Sequence, residues 1–261
     1  MPASKPKIAF FEFASCEGCQ LTVVDSLQDH PELLDAVEIV NFREAISERG
    51  QDYQIAFIEG SCARPSDEER IKAIREQAAL VVELGACAHL GGVNTIRNPF
   101  NQQEVYEYVY SNGCGQYTYE SYPARPIHAV VKVDAAIPGC PIDRNEFVRA
   151  VTHLLQGRMP RIPDYPLCIE CKLKENVCVY QRGMTCLGPI VRAGCDAICP
   201  TYGDGCEGCR GLTPNPNFES LKNVLAEYGL SEDAIRAKLT MFLTYQMMER
   251  EEIGDGKRAH V

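Results

Sequence analysis

The sequence predicts an α/β protein: a doubly wound, mostly parallel sheet, then a small cysteine-rich segment and terminal helices. Three observations predict it. Short apolar runs alternate with amphipathic stretches as far as residue 155. Most of these runs end in small residues and a cysteine, as strands do when they feed a loop at the carboxyl edge of a parallel sheet. Beyond residue 157 the alternation stops, and eight cysteines crowd into residues 168–209.

Residues 7–13 (KIAFFEF) form a continuous apolar run, the mark of a buried parallel strand, and lead directly into Ala14-Ser15-Cys16-Glu17-Gly18-Cys19. A helix is expected over 20–28 and strands over 37–42 and 54–59, the latter ending in Gly60-Ser61-Cys62. Ser66 and Glu69 stand in capping-box spacing at the head of a helix that runs to residue 77. The strand over 79–84 ends in Gly85-Ala86-Cys87, and a helix is expected over 100–110. The fifth strand is placed at 127–133, ahead of Pro138-Gly139-Cys140-Pro141, and Asp143 and Glu146 open a helix over 143–155. Ligands of such sheets bind beyond the carboxyl ends of the strands, so Cys16, Cys19, Cys62, Cys87 and Cys140 are expected to converge on one edge as a metal site.

Pro160 and Pro163 mark a boundary, and Pro214-Asn215-Pro216-Asn217 marks another. The division expected is 1–157, 158–213 and 214–261. The last segment carries two helices, 218–228 and 231–251, with Leu221, Val224, Leu225, Ile235, Leu239, Phe242 and Leu243 at helical spacing. Packing is the expected role of the stripe Met241, Phe242, Tyr245 and Met248.

The spacing in the cysteine-rich segment is C-x2-C-x6-C-x7-C, then C-x3-C-x6-C-x2-C. Thiolates two or three residues apart let one turn of backbone offer two sulfurs to one centre, so two quartets suggest two centres. Disulfides would need an oxidising compartment, and the opening MPASKPKIAFFEFA has no export signal, so a cytoplasmic protein is expected. Two structural zinc sites fit the count. Cys199-Pro200 resembles the Cys-Pro step that ends bacterial ferredoxin runs and, with the upstream cysteines, favours iron-sulfur clusters.

Composition narrows the function. A formal charge of −10 opposes nucleic-acid binding, and no apolar run approaches the eighteen residues or so of a membrane span. There is no nucleophile elbow, P-loop, G-x-G-x-x-G or H-E-x-x-H, so no catalytic residue is expected in this chain.

With C-E-G-C after the first strand, Gly85-Ala86-Cys87-Ala88 before Gly91-Gly92, Pro138-Gly139-Cys140-Pro141 and two quartets, the chain resembles the small subunit of nickel-iron hydrogenases over nearly its whole length. The resemblance implies a flavodoxin-like sheet domain, then a small irregular two-cluster ferredoxin-like domain. Three 4Fe-4S clusters follow from it: a proximal one on Cys16, Cys19, Cys87 and Cys140, a medial one on Cys195, Cys199, Cys206 and Cys209, and a distal one on Cys168, Cys171, Cys178 and Cys186. Cys168 stands where periplasmic uptake enzymes have a histidine, and Cys199 where they usually have a proline. With the missing leader, this resembles the cytoplasmic, bidirectional-type enzymes. A large subunit with the nickel-iron centre and a further iron-sulfur or flavin subunit are the implied partners.

Gly18 and Gly92 occupy the neighbourhoods where oxygen-tolerant relatives place extra cysteines. Cys62 is expected as a thiol near the proximal cluster or as an alternative ligand, and Cys114 as a bystander. Glu12, Glu17 and Glu59 are expected in surface or capping roles and His89 as a satisfied loop residue. Two other readings compete: an electron carrier of complex I or ferredoxin type without dihydrogen chemistry, and a zinc-stapled interaction module.

Overall fold

The computed structural model describes residues 5–110 and 120–250. The elements are β1 (Lys7–Glu12), α1 (Gly18–Asp29), α2 (Glu32–Ala36), β2 (Glu38–Asn41), β3 (Ile55–Glu59), α3 (Pro65–Gln77), β4 (Leu80–Leu84), α4 (Gly85–Leu90), α5 (Gln102–Tyr110), β5 (Ala135–Ile137), α6 (Arg144–Leu155), α7 (Cys168–Leu173), α8 (Ile198–Thr201), α9 (Phe218–Glu227) and α10 (Glu232–Glu249). All strand pairs are parallel, in the order β2-β1-β3-β4-β5. This is the flavodoxin-like order of a doubly wound sheet, as the sequence predicts. No described helix is long and apolar enough to cross a membrane.

Both faces of the sheet are covered, which is why the strands read as unbroken apolar runs. Side chains alternate between the faces. Phe10, Phe57, Val82 and Leu84 point to one side and pack with Phe42, Val23 of α1 and Phe147 of α6. The Phe10 ring stacks on Phe57 and Phe42 at centroid separations of 4.9 and 4.3 Å. On the other side Phe11, Ile58 and Val81 meet Ile71 and Ile74 of α3.

Two expectations are corrected. The fifth strand is Ala135–Ile137 rather than 127–133, and Ile127–Ala129 is a 3-10 turn. Asp134 sets this register: its N–H donates to the Val81 carbonyl at 2.9 Å, its carboxylate accepts the Val81 N–H at 2.8 Å, and Arg75 pairs with it at 2.5 Å. The run around Ile127 is apolar because it covers a sheet face, not because it joins the sheet. The helix expected to open on a Ser66/Glu69 box starts at Pro65 instead, whose fixed φ suits the first helical position. Asp67, not Ser66, turns back to accept the Ala63 N–H at 3.3 Å.

Other starts follow the reading. Asp143, Asn217 and Ser231 cap α6, α9 and α10 by accepting the N–H groups of Glu146, Ser220 and Ala234. A separate core gathers Leu167, Leu187, Ile190 and Val191 of the cysteine-rich segment with Leu221 and Leu225 of α9 and Ile235, Leu239 and Leu243 of α10. The segment's apolar side chains thus find their partners in the terminal helices. Helix α10 also packs against α4 and the 3-10 turn Gly92–Arg97, where Phe242 meets Ala86 and Leu90. Of the expected stripe, Phe242 is buried while Met241 and Met248 are exposed.

Candidate metal centres

The first site lies beyond the carboxyl ends of β1, β4 and β5. Glu17, in the left-handed region at φ 63°, turns the chain into α1, leaving Cys16 exposed just ahead of the helix and Cys19 buried in its first turn. The helix-start N–H groups of Cys19 and Gln20 donate to the Glu59 carboxylate at 3.2 and 3.0 Å. Glu59 is therefore a buried cap, in line with its expected role, and burial raises its pKa even though these hydrogen bonds oppose the rise. Cys87 sits on α4 and Cys140 in the loop after β5.

These four thiols feel one another. Burial, and then the charges of Cys140 and Cys16, push the Cys87 pKa up to about 12. Cys19 is raised by burial first and by Glu59, Cys140 and Cys87 after it. Such a set stays protonated on its own and would ionise only beside a cation. Glycine backbone floors it: a Cβ on Gly85 (φ 85°) would lie 2.3 Å from the Cys19 sulfur, and one on Gly92 (φ 58°) 2.9 Å from the Cys87 sulfur.

A second group comprises Cys195, Cys199, Cys206 and Cys209. Asp196 and Ala197 both have positive φ, and the Glu170 carboxylate holds this turn by accepting the N–H groups of Gly194 and Ala197 at 2.7 and 3.1 Å. Burial, and then the charges of Cys195, Cys140 and Cys199, push the Cys209 pKa up to about 12. In the third group Cys168 and Cys171 share one face of α7, three residues apart, near Cys178 and Cys186. Gly188 lets the chain pass both sulfurs, since a Cβ there would lie 3.2 Å from Cys186 Sγ and 3.4 Å from Cys168 Sγ.

The cysteines set the three groups in series. Cys140 lies close enough to Cys209 for its charge to raise the Cys209 pKa, which sets the first group beside the second. The Cys206 N–H donates to Cys186 Sγ at 3.2 Å, linking the second to the third.

The thiols are spread too widely for single ions. A zinc bound by four thiolates at about 2.3 Å needs sulfurs about 3.8 Å apart. Among the described residues, the only group of three or more potential ligand atoms lying within 4.8 Å of one another is Glu83, His89 and His128. A cluster that presents a different iron to each sulfur fits the wider quartets.

Cys62 stands apart. It is fully buried in the core on the α3 side of the sheet, with its sulfur 2.9 Å from the Tyr122 hydroxyl. Cys114 lies outside the described residues. Glu12 pairs with Arg43 and Arg70 at the surface, as expected. His89 is satisfied by Glu83, whose oxygens lie 2.8 Å from Nδ1 of His89 and of His128. Sequence reasoning missed this triad and also missed the buried Arg210; a lone charge inside the apolar run LVVEL was the available signal for Glu83.

Comparison with known proteins places the chain. Residues 16–154 match the model of the NADH ubiquinone oxidoreductase, 20 Kd subunit, family. The sulfhydrogenase 2 subunit delta of Pyrococcus furiosus is 35% identical over 238 residues, covering 90% of this chain and 98% of that protein. A subunit of the F420-non-reducing hydrogenase of Methanocaldococcus jannaschii is 32% identical over 237 residues, covering 79% of this chain and 82% of that protein. Among solved structures, an NAD+-reducing NiFe-hydrogenase in the H2-reduced state matches with a TM-score of 0.54 and 27% identity, over 61% of this chain and 96% of that one.

Proposed function

The chain belongs to the NADH ubiquinone oxidoreductase 20 Kd subunit family and is a hydrogenase small subunit, and from that premise we propose that it is the electron relay of a nickel-iron hydrogenase. Cys16, Cys19, Cys87 and Cys140 would hold a proximal 4Fe-4S cluster, Cys195, Cys199, Cys206 and Cys209 a medial one, and Cys168, Cys171, Cys178 and Cys186 a distal one. Such clusters supply reversible one-electron transfer. The observation that carries the reading is the serial order of the three groups, with Cys140 beside Cys209 and the Cys206 N–H donating to the Cys186 sulfur at 3.2 Å.

What the chain itself contributes is placement and environment. Burial of Cys19, Cys186 and Cys206 keeps water from much of the path, and N–H donors to the Cys186 sulfur from Gly188 and Cys206 ease the accumulation of negative charge there. Large apolar side chains stay exposed next to two of the groups: Leu21, Val93 and Ile96 near the first, and Ile169, Leu173 and Val177 near the third. A large subunit with the nickel-iron centre would cover the former, and an iron-sulfur or flavin subunit the latter. Every described cysteine is a free thiol, which suits the reducing cytoplasm.

The test is to isolate the chain with its natural partners under anaerobic conditions and count metals and sulfide. About twelve irons and twelve sulfides per chain beyond those of the partner subunits, with nickel present only when the large subunit is retained, is the expected result. About two zincs and a colourless protein would overturn it.

A further inference from the structure

Arg210 is the largest fully buried side chain of the described residues, 2% exposed, and it follows Cys209 directly. Its guanidinium makes four hydrogen bonds: Nε to the Ala193 carbonyl at 2.7 Å, Nη1 to the Pro138 carbonyl at 2.6 Å, and Nη1 and Nη2 to the two Glu146 oxygens at 2.7 Å each. Pro138 lies two residues before Cys140, and Ala193 two before Cys195. One planar group thus clasps the loops that carry ligand cysteines of both the first and the second groups. Gly194 makes room for it: a Cβ there would fall 2.1 Å from Nη2, and Gly194 has φ 116°.

Structural need alone does not explain a charge here. A buried Arg–Glu pair often stabilises no better than apolar side chains of the same volume, because both ions lose water. The arrangement is also asymmetric. Glu146 occupies the first turn of α6, where the helix N-terminus already compensates a negative charge. Arg210 itself adjoins Cys209 in the chain and holds the loops that lead to Cys140 and Cys195, and its charge acts on Cys195 and Cys209.

We propose that Arg210 is a positioning and tuning residue: it fixes the first and second groups against one another, and its charge holds up the reduction potential of the cluster in the second. The proposal rests on the iron-sulfur reading above. In the step it serves, one electron leaves the reduced proximal cluster and one enters the oxidised medial cluster; Arg210 stays protonated and transfers nothing. A cation beside the acceptor stabilises the added negative charge, which would otherwise face a chain of formal charge −10.

The experiment is a redox titration of each cluster, followed by electron paramagnetic resonance, on the complete hydrogenase carrying Arg210→Gln, Arg210→Lys or Glu146→Gln, with iron counted in each. Arg210→Gln should move the medial potential negative, Glu146→Gln should move it positive, and Arg210→Lys should restore it towards the native value, with the distal potential unchanged throughout. A purely structural residue would leave all three at the native potential or shift Arg210→Gln and Glu146→Gln in the same direction; either result overturns the proposal. Should Arg210→Gln fail to assemble, a positive shift in Glu146→Gln beside a near-native medial potential in Arg210→Lys supports the proposal, and a native medial potential in Glu146→Gln overturns it. Fewer than about twelve irons in the unaltered complex would instead count against the three-cluster reading.

Discussion

The sulfur of Cys62 lies 2.9 Å from the hydroxyl of Tyr122, inside the core on the face of the sheet that α3 covers. Arg125 donates to the same hydroxyl at 3.0 Å and to Glu68, so the thiol closes a chain of polar contacts. It does not face the four cysteines at the sheet edge.

Cys62→Ala should therefore leave the iron content unchanged while lowering stability by about 1–2 kcal/mol through the small void and the lost contact. Iron analysis and a denaturation midpoint on the same preparation check both halves. Loss of about four irons would make Cys62 a cluster ligand.

Gly85→Ala should empty the first site alone. Its φ of 85° suits glycine, and the added methyl would sit 2.3 Å from the Cys19 sulfur. The backbone strain by itself is about 1–3 kcal/mol, and the collision falls on a group that cannot retreat from a buried helix start. About eight irons should remain, with the proximal signal missing from the spectrum. A full complement would mean that the first site does not need the open glycine floor.

Glu83 and His128 should make stability depend on pH in a defined window. Burial pushes Glu83 up, but hydrogen bonds from His128 and His89 outweigh it, so its pKa falls below the ordinary 4.5. The hydrogen bond to Glu83, assisted by the charges of Glu83 and Glu249, raises His128 above 6.5. The carboxylate's contribution is complete above pH 4.5 and lost as pH drops through its lowered pKa; the imidazolium's is complete below pH 6.5 and lost as pH climbs through its raised one. Glu83→Gln should destabilise by about 1–3 kcal/mol at about pH 5.5–6.5, towards the lower figure because His128 is 40% exposed and screened. That difference should shrink as pH climbs from 6.5 through the raised His128 pKa. Thermal midpoints of both proteins across about pH 5–9 check it, and parallel curves would remove the pair from the pH response.

The features legible in the sequence were those written in short-range pattern. β1, β3 and β4 announce themselves as apolar runs ending in Cys16, Cys62 and Cys87, and the quartets as fixed spacings. What stayed hidden depends on partners far along the chain. Ile127 reads as a strand because an apolar run over a sheet and one within it look alike; only the pairing of Asp134 with Val81, fifty-three residues away, separates them. Arg210 resembles any surface arginine until Glu146, sixty-four residues earlier, is brought against it. The Asp143/Glu146 box was half right for the same reason: Asp143 caps, while the Glu146 side chain is drawn off to Arg210.

The seat of Phe242 on Ala86 and Leu90 has a consequence for biogenesis. On a ribosome, β4 and Cys87 emerge some 150 residues before Phe242. The sheet can fold first, but the helix bearing Cys87 keeps an uncovered apolar flank until Phe242 has been synthesised. Iron delivered to Cys87 before then would meet an unsealed pocket, with α10 the latch that shuts it.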